Sequence, residues 1–299
     1  MTNDLAEKRV GFIGLGIMGT PMATQLIDHG VSLGVFDVDV AAVETLAAKG
    51  AVPYTSPSEL AANSNIVICM LPRPDVFLEV ALGDDGLIHG MNPGGIVIDM
   101  ATDGPEPVKT VGAALESKGI HLIDAPVGKG PRAAERGDLM ILMGGDEEIC
   151  QSLKWLLGMM GGKIYYCGPL GTGQVTKLAN NLASNSYVAV LAEAYALASR
   201  GGARLDVLMD VMTQTDADSA PLRNTIIKKV LNHDFSPVFK VKLARKDVGL
   251  AVETAESLGN KVRCARGALE WLTEAVEAGH GELDQGAVLL LANPELQNP

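Results

Sequence analysis

The sequence predicts an α/β protein in two parts. A doubly wound, mostly parallel sheet occupies residues 1–167, an all-helical domain occupies 168–299, and a long interdomain helix joins them. Three observations carry that expectation. Short β-rich runs alternate with helical patterns as far as Tyr166, as parallel strands linked by helical crossovers require. A cluster of turn formers, Gly168-Pro-Leu-Gly-Thr-Gly173, then interrupts the alternation. Beyond it the apolar spacing is helical and β-branched runs are scarce.

Taken in order, Val10 to Ile13 reads as a strand, Pro21 to His29 as a helix, Ser32 to Phe36 as a strand, and Ala41 to Lys49 as a helix stopped at Gly50. Further strands are expected at Ile66 to Met70, Ile96 to Asp99, Ile120 to Asp124 and Met140 to Met143. The run from Gln174 to Arg200 contains neither proline nor internal glycine, so it reads as one helix of about 40 Å at 1.5 Å per residue. Gly201-Gly202 stops it. Helices follow near Val207 to Thr213, Pro221 to Leu231, Leu243 to Leu258 and Arg263 to Ala278, and Pro294 to Pro299 reads as a tail.

Composition narrows the function classes. A chain of 299 residues suits two domains at about 150 residues each. Its 24 Lys+Arg against 36 Asp+Glu give a net charge of −12, which argues against nucleic acid or an anionic membrane as partner. No uninterrupted apolar run reaches the roughly 18 residues of a spanning helix, and Met1 to Arg9 shows no signal-peptide pattern. Cys69, Cys150, Cys167 and Cys264 are far apart with no Cys-x-x-Cys pair, so no metal site is expected and a reducing, cytoplasmic compartment is.

Gly14-Leu-Gly16-Ile17-Met18-Gly19 follows the first strand directly and opens the first helix, the context in which three spaced glycines bind a dinucleotide. Gly14 permits the tight turn, Gly16 lets the main chain approach a pyrophosphate, and Gly19 lets helix and strand pack closely. Ile17 and Met18 belong to the same turn, where the helix N-terminus offers N–H donors to the anion. Asp37, at the end of the second strand, can accept hydrogen bonds from a ribose 2′-OH and would repel a 2′-phosphate, so NAD is favoured over NADP. The alternative for Asp37 is a turn or helix cap, a role that suits Asp39 better.

Gly14 to Ala23, Met70-Leu71-Pro72, Asp124-Ala-Pro-Val127, Gly171-Thr-Gly-Gln174, Lys177-Leu-Ala-Asn180-Asn181 and Lys246-Asp247, in that order, resemble the β-hydroxyacid dehydrogenase family, including its 3-hydroxyisobutyrate and tartronate-semialdehyde enzymes. The resemblance covers nearly the whole chain. It implies a Rossmann domain and a helical domain, with NAD(H) and substrate in the cleft between them and the helical domains packed into homodimers or homotetramers. Lys177 matches the catalytic lysine and Asn181 the substrate-binding asparagine. Asn180 and Asn181 lie three and four residues after Lys177, so all three share one helix face on spacing alone. Leu71 and Pro72 match a loop beside the nicotinamide ribose, Thr102 matches a contact to cofactor or substrate, and Lys246 matches a lysine that reaches the cofactor, with Asp247 orienting it. Phe239 either covers the cleft or fills the core.

Oxidation of an alcohol requires loss of its hydroxyl proton as hydride leaves the same carbon for nicotinamide. Lys177 can take that proton, and in reduction its ammonium returns it. With an ordinary pKa of about 10.4, a lysine acting as base near neutral pH needs burial or a neighbouring cation. The chain departs from the family where carboxylate-binding members carry Ser-Gly-Gly after Pro-Val. Here the stretch is Pro126-Val-Gly128-Lys129-Gly130-Pro-Arg132, similar to the Gly-Arg variant of sulfolactaldehyde reductases. Gly128, Lys129, Gly130 and Arg132 are therefore substrate-binding candidates, and a sulfonate, phosphonate or second carboxylate suits the two cations. Alternatively, Lys129 and Arg132 project into solvent. A 6-phosphogluconate dehydrogenase is disfavoured by the short helical domain, and an imine reductase or a non-catalytic dinucleotide-binding module by Lys177.

Overall fold

The computed structural model describes residues 9–297. The signal-peptide reading at residues 1–8 and the end of the expected tail, residues 298–299, lie outside the described residues.

Nine strands are present among the described residues: β1 (Val10–Ile13), β2 (Leu33–Phe36), β3 (Val52–Pro53), β4 (Ile66–Cys69), β5 (Ile96–Asp99), β6 (His121–Asp124), β7 (Val127–Gly128), β8 (Leu139–Gly144) and β9 (Gly161–Gly168). They form one sheet in the order β3-β2-β1-β4-β5-β6-β8-β7, with β9 paired to β8. Strands β1 to β6 pair in parallel with one another, and β8 pairs antiparallel with β6 and β7. The strand order reverses between β1 and β4, and in doubly wound sheets the crevice beyond the carboxyl ends at that reversal receives the ligand.

The helices of this part are α1 (Gly19–Asp28), α2 (Val40–Ala47), α3 (Pro57–Ala62), α4 (Pro74–Leu82), α5 (Leu87–Gly90), α6 (Pro105–Glu116), α7 (Pro131–Glu135), α8 (Glu147–Ser152) and α9 (Lys154–Leu157). Successive strand residues point to opposite faces, and the packing shows it. Phe12, Ile68, Ile98 and Ile123 belong to one apolar cluster with Met22 and Leu26 of α1, whereas Ile13, Val67, Val97 and Leu122 belong to another with Leu60, Phe77 and Val108. Both faces are covered, which is why these strands read as continuous apolar runs rather than alternating ones.

The sequence did not reveal β3, β7 or β9. Val52–Pro53 and Val127–Gly128 are two-residue strands, and β9 is half-exposed with Gly161, Gly162 and Lys163 at its start, so neither length nor apolar period marks them.

The long helix α10 runs from Thr172 to Arg200. The compact units divide within it, between Lys177 and Leu178, later than the breaker cluster at Gly168 to Gly173. The reason is local: side chains at the ends of β5 and β6 hold the helix's first turn.

The second unit contains the rest of α10, α11 (Leu205–Thr213), α12 (Val241–Ser257), α13 (Arg263–Ala275) and α14 (Leu289–Ala292). Its core includes Val188, Leu191, Tyr195, Leu222, Val248 and Leu272. On α12 the buried positions Val241, Ala244, Val248, Ala251 and Val252 recur at three- and four-residue intervals, as one inward stripe demands. The expected Pro221 to Leu231 helix is instead a π-helical turn, Leu222–Ile227, and a 3₁₀ turn, Val230–Asn232. Residues Pro294–Gln297 form a 3₁₀ turn rather than a loose tail: Leu296 is buried, and its carbonyl is bonded to His233 Nδ1 at 2.7 Å.

Candidate functional site

The glycine turn lies at the carboxyl end of β1, where the strand order reverses. Gly14 has φ +94°, and a Cβ there would strike the Met70 carbonyl oxygen at the end of β4. A side chain at Gly19 would strike the Gly14 carbonyl, so α1 packs on the turn only because it starts with glycine. Above Gly16, a Cβ would meet no protein atom within 4 Å, leaving open a cradle that any side chain would fill. No side chain caps α1 at Met18, so the helix start retains donor capacity for an anion. Ile17 is exposed, while Met18 packs against the core.

Asp37 is fixed by two main-chain donors. Leu15 N–H donates to its Oδ2 at 2.5 Å and Asp39 N–H to its Oδ1 at 2.8 Å. A carboxylate has about four lone-pair directions, so two stay available for ribose hydroxyls. Asp39 caps α2, accepting from Ala41 N–H at 3.0 Å. Open space at Gly16, an uncapped helix start and a fixed acceptor ending β2 together fit a dinucleotide. Of the next loop's pair, Leu71 is buried in the core and Pro72 is exposed. Thr102 is half-buried in the segment after β5.

A buried carboxylate cluster joins β5 and β6 to α10. Asp99, Asp103, Asp124 and Gln174 are all buried. Asp124 Oδ1 and Oδ2 accept from the main-chain N–H groups of Gly171 and Gln174, each at 2.7 Å. Gln174 Nε2 donates to Asp99 Oδ2 at 2.9 Å, and Asp99 Oδ1 accepts from Ala101 N–H at 3.1 Å. Burial, followed by the neighbouring Asp103 carboxylate, holds Asp99 well above the usual carboxylate range. Burial also raises Asp124, to about 6, against the lowering effect of its N–H donors. The thiol of Cys69 is pushed well up by burial and by Asp99 and Asp103, and Cys150 is raised to about 12, mainly by burial. All four cysteines are free.

Lys177 is half-buried on α10, three residues after Gln174. In the second unit, the buried Asn181 donates from Nδ2 to Asp247 Oδ2 at 2.6 Å and accepts from Asn180 at 3.2 Å. Lys246 Nζ lies 3.5 Å from Asp247 Oδ1. Asp247 thus holds Asn181 more closely than it holds Lys246, the partner the sequence proposes for it. Phe239 packs against the second unit's core.

The substrate-loop candidates sit on β7 and α7. Gly128 is buried in β7, Gly130 precedes α7 with φ +70°, and Arg132 is exposed on that helix. Lys129 adopts φ +78°, a left-handed conformation rare for a residue with a side chain. Its Nζ sits 3.0 Å from each Asp138 oxygen. Lys129 is thus an exposed residue whose charge is paired with Asp138. Asp99, Asp124, Asp138 and Gln174 escaped the sequence reading as site residues. The available signal was two strands ending in Asp and a Gln opening the long helix.

Comparison with known proteins agrees with this fold. Residues 9–168 match the family model of the NAD binding domain of 6-phosphogluconate dehydrogenase. Residues 171–292 match the NAD-binding model of NADP-dependent 3-hydroxyisobutyrate dehydrogenase. The chain is 36% identical over 280 residues to 3-sulfolactaldehyde reductase of Escherichia coli (strain K12), covering 94% of both chains. The chain belongs to the β-hydroxyacid dehydrogenase family. Within that family, an NAD-dependent L-serine dehydrogenase of Pseudomonas aeruginosa is 33% identical over 96% of this chain and 98% of its own. The solved Mycobacterium tuberculosis 3-hydroxyisobutyrate dehydrogenase with L-serine has a TM-score of 0.89 at 30% identity, covering 96% of this chain and 99% of that one. This β-hydroxyacid dehydrogenase is thus an NAD(P)-dependent hydroxyacid oxidoreductase, with relatives that act on small hydroxy acids. No helix among the described residues is long and apolar enough to cross a membrane, and no described cluster of three His, Cys, Asp or Glu could hold a metal.

Proposed function

We propose that the protein interconverts a short β-hydroxy acid, or its sulfonate analogue, and the corresponding aldehyde or ketone, with Lys177 as general acid/base. The observation that carries this reading is the placement of Lys177 one turn into α10, directly after the turn held by Asp124 and Gln174. NAD, when bound, supplies the hydride acceptor. Lys177 Nζ takes the hydroxyl proton during oxidation and returns it to the forming alkoxide during reduction. Asn181, steadied by Asp247, orients the substrate oxygen, while Thr102 and Lys246 contact cofactor or substrate. Preference for NAD over NADP rests on Asp37, whose fixed carboxylate suits a 2′-OH and opposes a 2′-phosphate.

A narrower reading, reduction of 3-sulfolactaldehyde, is favoured by Lys129 and Arg132 in place of the hydroxyl of carboxylate-binding members. A sulfonate offers three oxygens to Arg132, to main-chain donors at Gly128 and Gly130, and to Lys129 as it leaves Asp138. Turnover of 3-sulfolactaldehyde, succinic semialdehyde and methylmalonic semialdehyde by the parent and Lys129→Ala tests it. The expected result is preference for the sulfonate and a loss on Lys129→Ala of at least about tenfold for that substrate alone. Equal losses on all three would exclude a specific anion role. A homodimer or homotetramer is proposed from exposed Val190 and Leu197 on α10 and Val207 and Val211 on α11. A cytoplasmic setting is proposed from the four reduced cysteines.

A further inference from the structure

Gln174 is fully buried, at 0% exposure, yet it is neither apolar nor a reacting group. Its side-chain amide makes every hydrogen bond available to it. Nε2 donates to Asp99 Oδ2 at 2.9 Å and to the Ala101 carbonyl at 3.0 Å. Oε1 accepts from the main-chain N–H groups of Asp103 at 3.1 Å and Gly104 at 3.2 Å. Two donors and two lone pairs are thereby satisfied in one place. Burying an amide among carboxyl groups is unfavourable unless all of its bonds are made, so such a cluster specifies one geometry. That geometry joins two segments about 70 residues apart in sequence. One is the Ala101–Gly104 turn, which contains Thr102. The other is the start of α10, where Asp124 accepts from the N–H groups of Gly171, just before the helix, and Gln174 in its first turn.

We propose that Gln174 is a positioning residue for the reaction: its amide couples the turn carrying Thr102 to the helix carrying Lys177, so that one buried group sets both. The inference rests on the assignment of Lys177 as acid/base. Three residues of helix separate Gln174 from Lys177, a rise of about 4.5 Å within a single rigid turn, so displacement at one is passed to the other. A misplacement of about 1 Å at a reacting group can lower the rate about 100-fold.

The titratable groups around this amide are all acids. Asp99 ends β5, Asp103 lies in the turn after it and Asp124 ends β6. Cys69 of β4 faces Asp99 and Asp103, and Cys150 of α8 and Cys167 of β9 face Asp124. In Gln174→Glu, a protonated carboxyl keeps a donor toward Asp99, whereas an ionised one loses that donor and adds a charge to a buried cluster of acids. Its activity should therefore follow the protonation of the introduced group.

The test measures kcat, KM and the NADH dissociation constant for the parent, Gln174→Ala and Gln174→Glu across about pH 5.5 to 9. Gln174→Ala is expected to lower kcat about 10- to 100-fold, with KM and NADH affinity within about threefold of the parent. Gln174→Glu is expected to approach the parent at the acid end. Relative to the parent, it should then lose activity about tenfold per pH unit on a limb that the parent lacks. A folded Gln174→Ala with kcat within about threefold of the parent overturns the proposal. So does a Gln174→Glu profile parallel to the parent's, which decides alone where Gln174→Ala does not fold. Full turnover in Lys177→Met would instead remove the lysine assignment. An inactive Lys177→Met beside parent-like Gln174 variants would remove only the coupling.

Discussion

Asp37 shows how one side chain can combine a structural task with the selective one proposed for it. Its two oxygens accept from Leu15 and Asp39 N–H groups, which fixes the carboxylate just after β2 and leaves lone pairs for further donors. In the proposed selectivity its charge, rather than its shape, opposes a 2′-phosphate. Asp37→Asn retains the size and one acceptor but removes the charge, so the ratio of kcat/KM with NADP to that with NAD should rise at least about tenfold. A ratio unchanged within about twofold would detach cofactor choice from this residue. Lys129 makes a related point. Its left-handed backbone and its ion pair with Asp138 are invisible to spacing arguments, because both depend on where β7 and β8 bring Asp138, nine residues later. The sequence therefore marks the cation but not its partner.

The decisive element is α10. Its length and stop at Gly201-Gly202 were legible because neither proline nor glycine occurs from Gln174 to Arg200, whereas its anchoring was not. Asp124 and Gln174 lie 50 residues apart, and no local periodicity connects them. A helix start held by a buried carboxylate has a pH signature. The folded pKa of Asp124, about 6, lies above its ordinary value of 3.8, so the folded state binds the proton more tightly. The associated stability is present below about pH 3.8 and is lost as pH rises through about 6, on the order of 2 to 3 kcal/mol. Asp124→Asn cannot titrate. The stability of the parent relative to this variant, from urea melts, should therefore decline between about pH 4 and 7. Parallel pH dependences would mean that Asp124 is not the titrating anchor. The short strands β3, β7 and β9 escaped notice for a different reason: they are held by neighbouring strands rather than by an apolar period of their own.

At the scale of the molecule, the fold class, the glycine turn and the lysine-bearing helix were readable because each has a local pattern. The antiparallel insertion of β7 and β8, the carboxylate cluster and the π-helical turn Leu222–Ile227 were not, since each arises from tertiary packing. The net charge of −12 gains meaning beside these assignments. Lys129, Arg132, Lys177 and Lys246 are the cations proposed to serve substrate or cofactor in an otherwise acidic chain, which favours a small anion over a polyanion. The central claim is that Lys177 moves the proton while the dinucleotide turn binds independently of it. Steady-state turnover and NADH affinity of Lys177→Met, measured on one preparation, test that claim most directly. The account predicts a loss in kcat of at least about 1000-fold with the NADH dissociation constant within about twofold of the parent. Near-parent turnover with intact NADH binding would contradict it.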